Sequence, residues 1–105
     1  MTWAPTTKQR GVDEITIDWV KANYPSDQFV LVDCREQHEW DAGHIDGARF
    51  MPLSDFANAS QDLSPDTPVV VYCRSGVRSL KATVFLQQKG IVAASMTGGF
   101  LGWQG

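Results

Sequence analysis

One stretch decides the fold of this chain, and it reads Val69-Val70-Val71-Tyr72-Cys73-Arg74-Ser75-Gly76-Val77-Arg78-Ser79-Leu80. Its first four residues are apolar and largely β-branched, which is typical of a strand buried on both faces in a parallel sheet. From Val77 onward the spacing becomes helical, with Val77, Leu80 and Val84 on one face. The stretch therefore predicts a buried strand, a short loop and a helix.

Cys73 lies where the predicted strand ends, and ligand sites of open α/β sheets are found at that position. Backbone N–H groups and the positive end of the helix dipole favour an anion there. Arg74 and Arg78 add two positive charges. A cysteine pKa of about 8.5 falls to about 3.5–7.5 in such surroundings. A free cysteine is otherwise a small buried hydrophobe, but that alternative does not explain the arginines, so the loop predicts an anion cradle around a nucleophile.

Composition bounds the classes of function. The chain has 105 residues, of which 43% are hydrophobic and 20% charged, and this suits one domain with a core of its own. A net charge of −3 and a pI near 5.1 argue against general binding of nucleic acid or a membrane surface. Two cysteines far apart in sequence make no disulfide framework. Because the positive charge is concentrated around Cys73, we expect a small anionic ligand.

The chain divides into an N-terminal extension, residues 1–12, with a mobile tip, and a single domain, residues 13–105. The N-terminus has no basic-then-apolar signal pattern, and no apolar run approaches the length of a membrane span. We therefore expect a cytoplasmic protein, since a reactive thiol suits a reducing compartment.

Strands and helices alternate along the rest of the chain. Further strands are predicted over residues 29–32, 49–51 and 91–96, and helices over residues 15–24, 36–41, 53–59, 77–89 and 100–103. Alternation of this kind indicates a mostly parallel sheet with helices on both faces.

Four separated blocks resemble the single-domain rhodanese family, which is thiosulfate sulfurtransferase-like, and the resemblance covers residues 15–103. The blocks are Leu31-Val32-Asp33-Cys34-Arg35-Glu36, Glu39-Trp40-Asp41-Ala42-Gly43-His44-Ile45-Asp46-Gly47-Ala48, Cys73-Arg74-Ser75-Gly76-Val77-Arg78-Ser79 and Gly98-Gly99-Phe100-Leu101-Gly102-Trp103. The resemblance implies an α/β, rhodanese-like fold with a central parallel five-stranded sheet and helices on both faces. It also implies ping-pong sulfur transfer.

In the implied reaction, Cys73 takes a sulfane sulfur from a small anionic donor such as thiosulfate and holds it as a persulfide. Cyanide or a thiol, including a thiol on a protein, then accepts the sulfur. Arg74 and Arg78 would attract the donor, and the amides of the loop would stabilise the persulfide. The predicted loop residues are Arg74, Ser75, Gly76, Val77, Arg78 and Ser79. We expect no cofactor and no metal, and neither nucleic acid nor membrane as a partner.

Asp33 and Arg35 follow the neighbouring strand and are predicted to support the site. Arg35 either binds the donor or forms an internal ion pair that braces the loop. Cys34 is either a resolving thiol that attacks a Cys73 persulfide or a small buried residue facing away from Asp33. His44 is predicted to tie down its own loop through hydrogen bonds.

Two other functions are open to this sequence. Tyrosine and dual-specificity phosphatases also place a cysteine in an anion loop that ends in Arg and Ser, but with five residues between the Cys and the Arg. Here four residues separate Cys73 from Arg78, which predicts a pocket suited to one sulfur atom rather than a phosphoryl group. The second alternative is a non-catalytic rhodanese module for protein binding or sulfur relay. Such modules commonly lack the cysteine or the basic loop, and both are present here.

Overall fold

The computed structural model describes residues 3–5 and 7–104, which build a six-stranded mixed sheet with helices packed on it. The strands are β1 (Thr7–Gln9), β2 (Val12–Ile15), β3 (Val30–Asp33), β4 (Arg49–Phe50), β5 (Val69–Tyr72) and β6 (Ala93–Met96). The helices are α1 (Ile17–Asn23), α2 (Gln37–Ala42), α3 (Phe56–Ala59), α4 (Arg78–Gln88) and α5 (Gly99–Gln104), and a 3₁₀ turn at Leu53–Asp55 precedes α3. The order across the sheet is β1-β2-β6-β5-β3-β4.

The prediction of a purely parallel five-stranded sheet was wrong by one strand. Strands β2, β6, β5, β3 and β4 pair in parallel, and β1 adds an antiparallel edge strand next to β2. The chain reverses direction at Arg10 and Gly11. Both residues have positive φ, as in the two-residue turns that commonly connect the strands of a β-hairpin. The sequence gives no signal for β1, because Thr7-Lys8-Gln9 lacks apolar alternation.

The hairpin brings part of the predicted extension into the sheet. Residues 7–9 of the segment 1–12 form β1, and Val12 begins β2. Met1 and Thr2, at the tip that the sequence predicts to be mobile, lie outside the described residues.

Two hydrophobic cores lie on opposite faces of the sheet, and α3 with α4 covers one while α1 with α5 covers the other. The helices on both faces are therefore as predicted. Every residue of β5 is buried. Val69, Val71 and Cys73 belong to the core beneath α3 and α4, whereas Val70 and Tyr72 belong to the other core. Alternation along the central strand thus fixes the face toward which Cys73 points.

Local signals set the helix ends. The Thr16 side chain caps α1 by accepting a hydrogen bond from the Trp19 amide at 3.0 Å, and Gly43 ends α2. Helix α4 begins at Arg78, one residue later than predicted, and Val77 is 60% exposed. Buried Ala82 and Leu86 face the core instead. Val77 is held at the surface because it belongs to the loop that leads into the helix.

No helix within residues 3–5 and 7–104 is long and apolar enough to cross a membrane.

Candidate active site

The sulfur of Cys73 lies at the carboxyl edge of the sheet, in a ring of hydrogen-bond donors. The residue is 1% exposed. The amide of Gly76 donates to Cys73 Sγ at 3.1 Å, and the amide of Ser79 donates at 3.4 Å. The Ser79 hydroxyl lies 3.4 Å from the same sulfur. These three groups come from Gly76 in the loop and from Ser79 in the first turn of α4, two of the six loop residues predicted from the sequence.

A second serine supports this ring from the neighbouring strand. Ser95 in β6 lies 2.7 Å from Ser79, oxygen to oxygen, and both residues are fully buried. When Cys73 is a thiolate, it accepts the Ser79 hydroxyl hydrogen, and Ser95 then donates to Ser79. Sequence reasoning missed Ser95, although a hydroxyl inside an otherwise apolar strand was a signal for it.

Two glycines allow the loop to pack closely. Gly76 has φ +101°, a conformation that residues with a side chain rarely adopt. A Cβ on Gly99 would lie 2.5 Å from the Arg74 carbonyl oxygen, so only glycine fits there. The amides of Phe100 and Leu101 donate to the carbonyls of Cys73 and Arg74 at 2.8 and 3.0 Å. The start of α5 therefore fastens the cysteine-bearing loop from behind.

Cys34 lies beside Cys73 at the end of the adjacent strand. The pairing of β3 with β5 continues one residue past Asp33 and Tyr72, because the Cys34 amide donates to the Tyr72 carbonyl at 3.0 Å. Cys34 is completely buried and shares the core beneath α3 and α4 with Cys73. It therefore faces away from Asp33, the orientation of the second alternative predicted from the sequence, and this same orientation turns it toward the Cys73 side of the core.

The two thiols have opposite pKa shifts. A hydrogen bond from the Cys34 thiol lowers the pKa of Cys73 to about 4, burial opposes that shift, and the donors on Ser79 and Gly76 reinforce it. The same hydrogen bond raises the pKa of Cys34 well above its ordinary value, and burial and the nearby Cys73 charge act in the same direction. The pair therefore holds one thiolate, on Cys73, and one proton, on Cys34.

Asp33 and Arg35 form a buried ion pair. The Arg35 guanidinium donates to the Asp33 carboxylate at 2.8–3.1 Å and to the Gly43 carbonyl at 2.7 Å. It also lies 4.3 Å from the centre of the Phe100 ring. Burial opposes the charge on Arg35, but the hydrogen bond and charge of Asp33 outweigh it and raise the arginine's pKa. Of the two roles predicted for Arg35, the contacts favour the internal ion pair that braces the site.

Arg78 is bound by Glu39, a residue that was not predicted from the sequence to belong to the site. Its guanidinium forms a bidentate ion pair with the Glu39 carboxylate in α2, with nitrogen–oxygen distances of 2.7 and 2.8 Å. The hydrogen bond from Arg78 lowers the pKa of Glu39 to about 2, and the charge of Arg35 contributes to the shift. Glu39 thus lies between two arginines and neutralises part of the positive charge near the sulfur. The sequence feature that could have indicated this role is the acidic Glu39 in the first turn of α2, a helix that borders the site.

Arg74, Ser75 and Val77 form the exposed rim of the loop. Within residues 3–5 and 7–104, Arg74 takes part in no ion pair. Together with Arg35, Glu39 and other residues, Arg74 lines a cleft beside the loop. Arg74 is therefore the loop arginine that can meet an incoming anion without first breaking an ion pair.

His44 holds its own loop in place, as predicted. Its ring lies 3.5 Å from the Trp40 ring in a parallel stack, and Nδ1 is 2.9 Å from the Trp40 carbonyl oxygen. Across the described part of the chain, no group of three or more His, Cys, Asp or Glu side chains could hold a metal ion.

Comparison with known proteins finds a family model and several relatives that match this chain. The family model described as "Rhodanese-like domain" matches residues 16–105. The chain is 36% identical over 99 residues to the uncharacterized protein YqhL of Bacillus subtilis, covering 93% of this chain and 77% of that protein. It is 30% identical over 95 residues to the putative sulfurtransferase YtwF of the same organism, covering 90% and 92% of the two chains.

A solved structure has the same fold. The crystal structure of a rhodanese-like domain protein from Staphylococcus aureus matches with a TM-score of 0.80 and 28% sequence identity, over 86% of this chain and 89% of that one.

Proposed function

This chain belongs to the rhodanese-like domain family, and on that premise we propose that it is a sulfurtransferase that takes a sulfane sulfur from thiosulfate through a persulfide on Cys73. One observation carries the proposal. The Cys73 sulfur receives hydrogen bonds from the amides of Gly76 and Ser79, and with the Cys34 thiol these donors lower its pKa to about 4, so that it is a thiolate at neutral pH. The relative named "putative sulfurtransferase YtwF", similar over nearly the whole length of both chains, supports the reaction class.

The first half of the proposed reaction is an attack of the Cys73 thiolate on the outer sulfur of thiosulfate. The new bond joins Sγ to that sulfur, the sulfur–sulfur bond of the donor breaks, and sulfite leaves with the electron pair. The product on the protein is a persulfide anion. Its charge lies on the outer sulfur, which the amides of the loop are proposed to stabilise.

The second half returns Cys73 to its thiolate form. Cyanide, a small thiol or a protein thiol attacks the outer sulfur, and the Cys73 thiolate is the leaving group. Arg74, exposed on the rim, is proposed to attract the anionic donor, and Arg78 is proposed to assist despite its ion pair with Glu39. A reducing cytoplasm is the proposed compartment, because it keeps the thiols reduced between turnovers.

Loop length argues against phosphoryl transfer. Four residues separate Cys73 from Arg78, and Arg78 is bound by Glu39. A phosphatase of this type needs its arginine to clamp the equatorial oxygens of the phosphoryl group in a wider loop. A cradle that closes on a single sulfur atom leaves little room for that group.

The test measures both half-reactions. We expect one equivalent of sulfite per chain on mixing with thiosulfate, and continuous thiocyanate formation when cyanide is added. Cys73→Ser abolishes both, because a hydroxyl of ordinary pKa is not ionised at neutral pH. Ser64→Ala, in an exposed loop, is the matched control and retains both. Hydrolysis of an aryl phosphate without sulfite release would overturn the proposal.

A further inference from the structure

Cys34 is a buried thiol that the proposed transfer reaction leaves without a chemical task. It lies in contact with the nucleophile, and the two residues occupy equivalent positions at the ends of paired strands. Neighbouring strands lie about 4.8 Å apart, and disulfides join Cα atoms separated by about 4.4–6.8 Å. Because both side chains enter the same core, the backbone is already placed for a Cys34–Cys73 disulfide.

We propose that Cys34 is a resolving thiol, which displaces the outer sulfur of the Cys73 persulfide as hydrosulfide and closes a disulfide with Cys73. The inference rests on the proposed function, since it needs a persulfide on Cys73. It adds an activity: hydrosulfide release without an external acceptor.

Atoms and electrons balance in this step. Cys34 gives its proton to the outer sulfur, and the Cys34 sulfur attacks Cys73 Sγ. The bond between the two cysteine sulfurs forms, the bond from Sγ to the outer sulfur breaks, and hydrosulfide leaves. The two cysteines are oxidised to a disulfide, while the sulfane sulfur is reduced to sulfide. A dithiol reductant then restores both thiols.

The charge changes at Cys73 explain why Cys34 reacts only after sulfur has arrived. In the resting site the Cys73 thiolate accepts a hydrogen bond from Cys34, and its charge raises the pKa of Cys34. Once the persulfide forms, the negative charge moves from Sγ to the outer sulfur. Cys34 then loses the charge that held its proton, while Arg78, whose charge lowers the pKa of Cys34, remains nearby.

Burial makes the internal thiol a competitor for external acceptors. Cys34 is 0% exposed, so it meets Cys73 Sγ from within the core and needs no access through the loop. A small or protein-borne acceptor must instead approach from the rim formed by Arg74, Ser75 and Val77. The fate of the sulfur is therefore set by whether an acceptor arrives before Cys34 reacts.

A single turnover without any external thiol tests this step. The reduced protein, freed of reductant, is mixed with one equivalent of thiosulfate, and sulfite, hydrosulfide and intact mass are monitored. The wild-type chain should release sulfite and then hydrosulfide, and its mass should fall by two hydrogens. Cys34→Ser, which keeps a hydroxyl donor toward Cys73, should gain the mass of one sulfur atom and release hydrosulfide at least about tenfold more slowly.

A stable persulfide on the wild-type chain, with sulfite released but no hydrosulfide, would overturn the resolving role and leave sulfur transfer intact. A second arm loads Cys73 with inorganic polysulfide, so that the step is tested even if thiosulfate is not a donor. A Cys34–Cys73 disulfide in that arm supports the resolving role even when thiosulfate releases no sulfite, in which case only the proposed donor fails. Polysulfide that leaves both cysteines unlinked overturns the inference.

Discussion

Strands β3 and β5 lie side by side, and each is followed by a cysteine and an arginine. The two Cys-Arg pairs nevertheless differ in protonation and in exposure. Strand β3 runs into Cys34-Arg35, and β5 runs into Cys73-Arg74. Cys34 keeps its proton while Cys73 loses it. Arg35 is buried in an ion pair, whereas Arg74 is exposed on the rim.

The difference lies in the path that the backbone takes beyond each strand. After β3, the Asp33 carboxylate accepts hydrogen bonds from the amide and guanidinium of Arg35, which holds the arginine side chain against the end of its own strand. After β5, the chain curls into a loop whose amides point at one sulfur atom, and a helix begins there. Identical residue types thus form a buried ion pair at one strand end and a thiol of lowered pKa at the other, because their surrounding hydrogen-bond donors differ.

The largest effect should come from the two arginines and concerns stability. Arg35→Met leaves the Asp33 carboxylate buried and unpaired, which costs about 3–5 kcal/mol of the free energy of unfolding. Arg74→Met removes an exposed side chain and should change that free energy by no more than about 0.5 kcal/mol. Urea unfolding measures both. Equal losses would remove the distinction between the two strand ends, and adding Asp33→Asn to Arg35→Met should recover part of the loss.

The second-largest effect concerns the reactivity of the two thiols toward alkylation and the dependence of that reactivity on pH. Alkylation of the native chain by iodoacetamide should modify Cys73 alone, because the pKa of Cys34 is raised well above its ordinary value and a protonated thiol is a poor nucleophile. Since the pKa of Cys73 is lowered to about 4, its reactivity should be constant near neutral pH and fall as the pH drops through that value.

Variants at Cys34 separate the contribution of its hydrogen bond. Cys34→Ala removes the donor and should move the alkylation midpoint of Cys73 to higher pH, whereas Cys34→Ser keeps a donor and should move it less. Ser79→Ala should also raise the midpoint, because it removes the hydroxyl beside Sγ. A midpoint that stays in place in Cys34→Ala would contradict the coupling between the two strand ends.

The smallest effect concerns attraction of the donor. Arg74→Ala should raise the KM for thiosulfate about two- to fivefold, the size expected for one exposed charge. Glu39→Gln should lower that KM, because it releases Arg78 from its ion pair. Both changes should shrink at high ionic strength, which screens charges at the rim. A rise in the KM for thiosulfate in Glu39→Gln would contradict this expectation and would mean that the ion pair with Glu39 positions Arg78 for donor binding.

Much of this architecture was accessible from patterns within short segments. The apolar runs at 29–32 and 69–72 identified two adjacent interior strands, β3 and β5, because strands buried on both faces need continuous apolar residues. Strand β1 escaped prediction, since its three residues carry no apolar pattern and only pairing with β2 makes them a strand. The start of α4 was predicted one residue early, because helical spacing does not reveal where a loop ends and its helix begins.

For the site, the candidate nucleophile, its two arginines and the length of the loop could all be predicted from one contiguous segment, because their chemistry is local. Only the tertiary structure decided the partners that come from elsewhere in the chain: Glu39 on Arg78, Ser95 on Ser79 and Cys34 against Cys73. Contacts across the sheet depend on strand order and register, which no single segment encodes. The same register turns Cys34, a small core residue in sequence, into the thiol that holds Cys73 ionised.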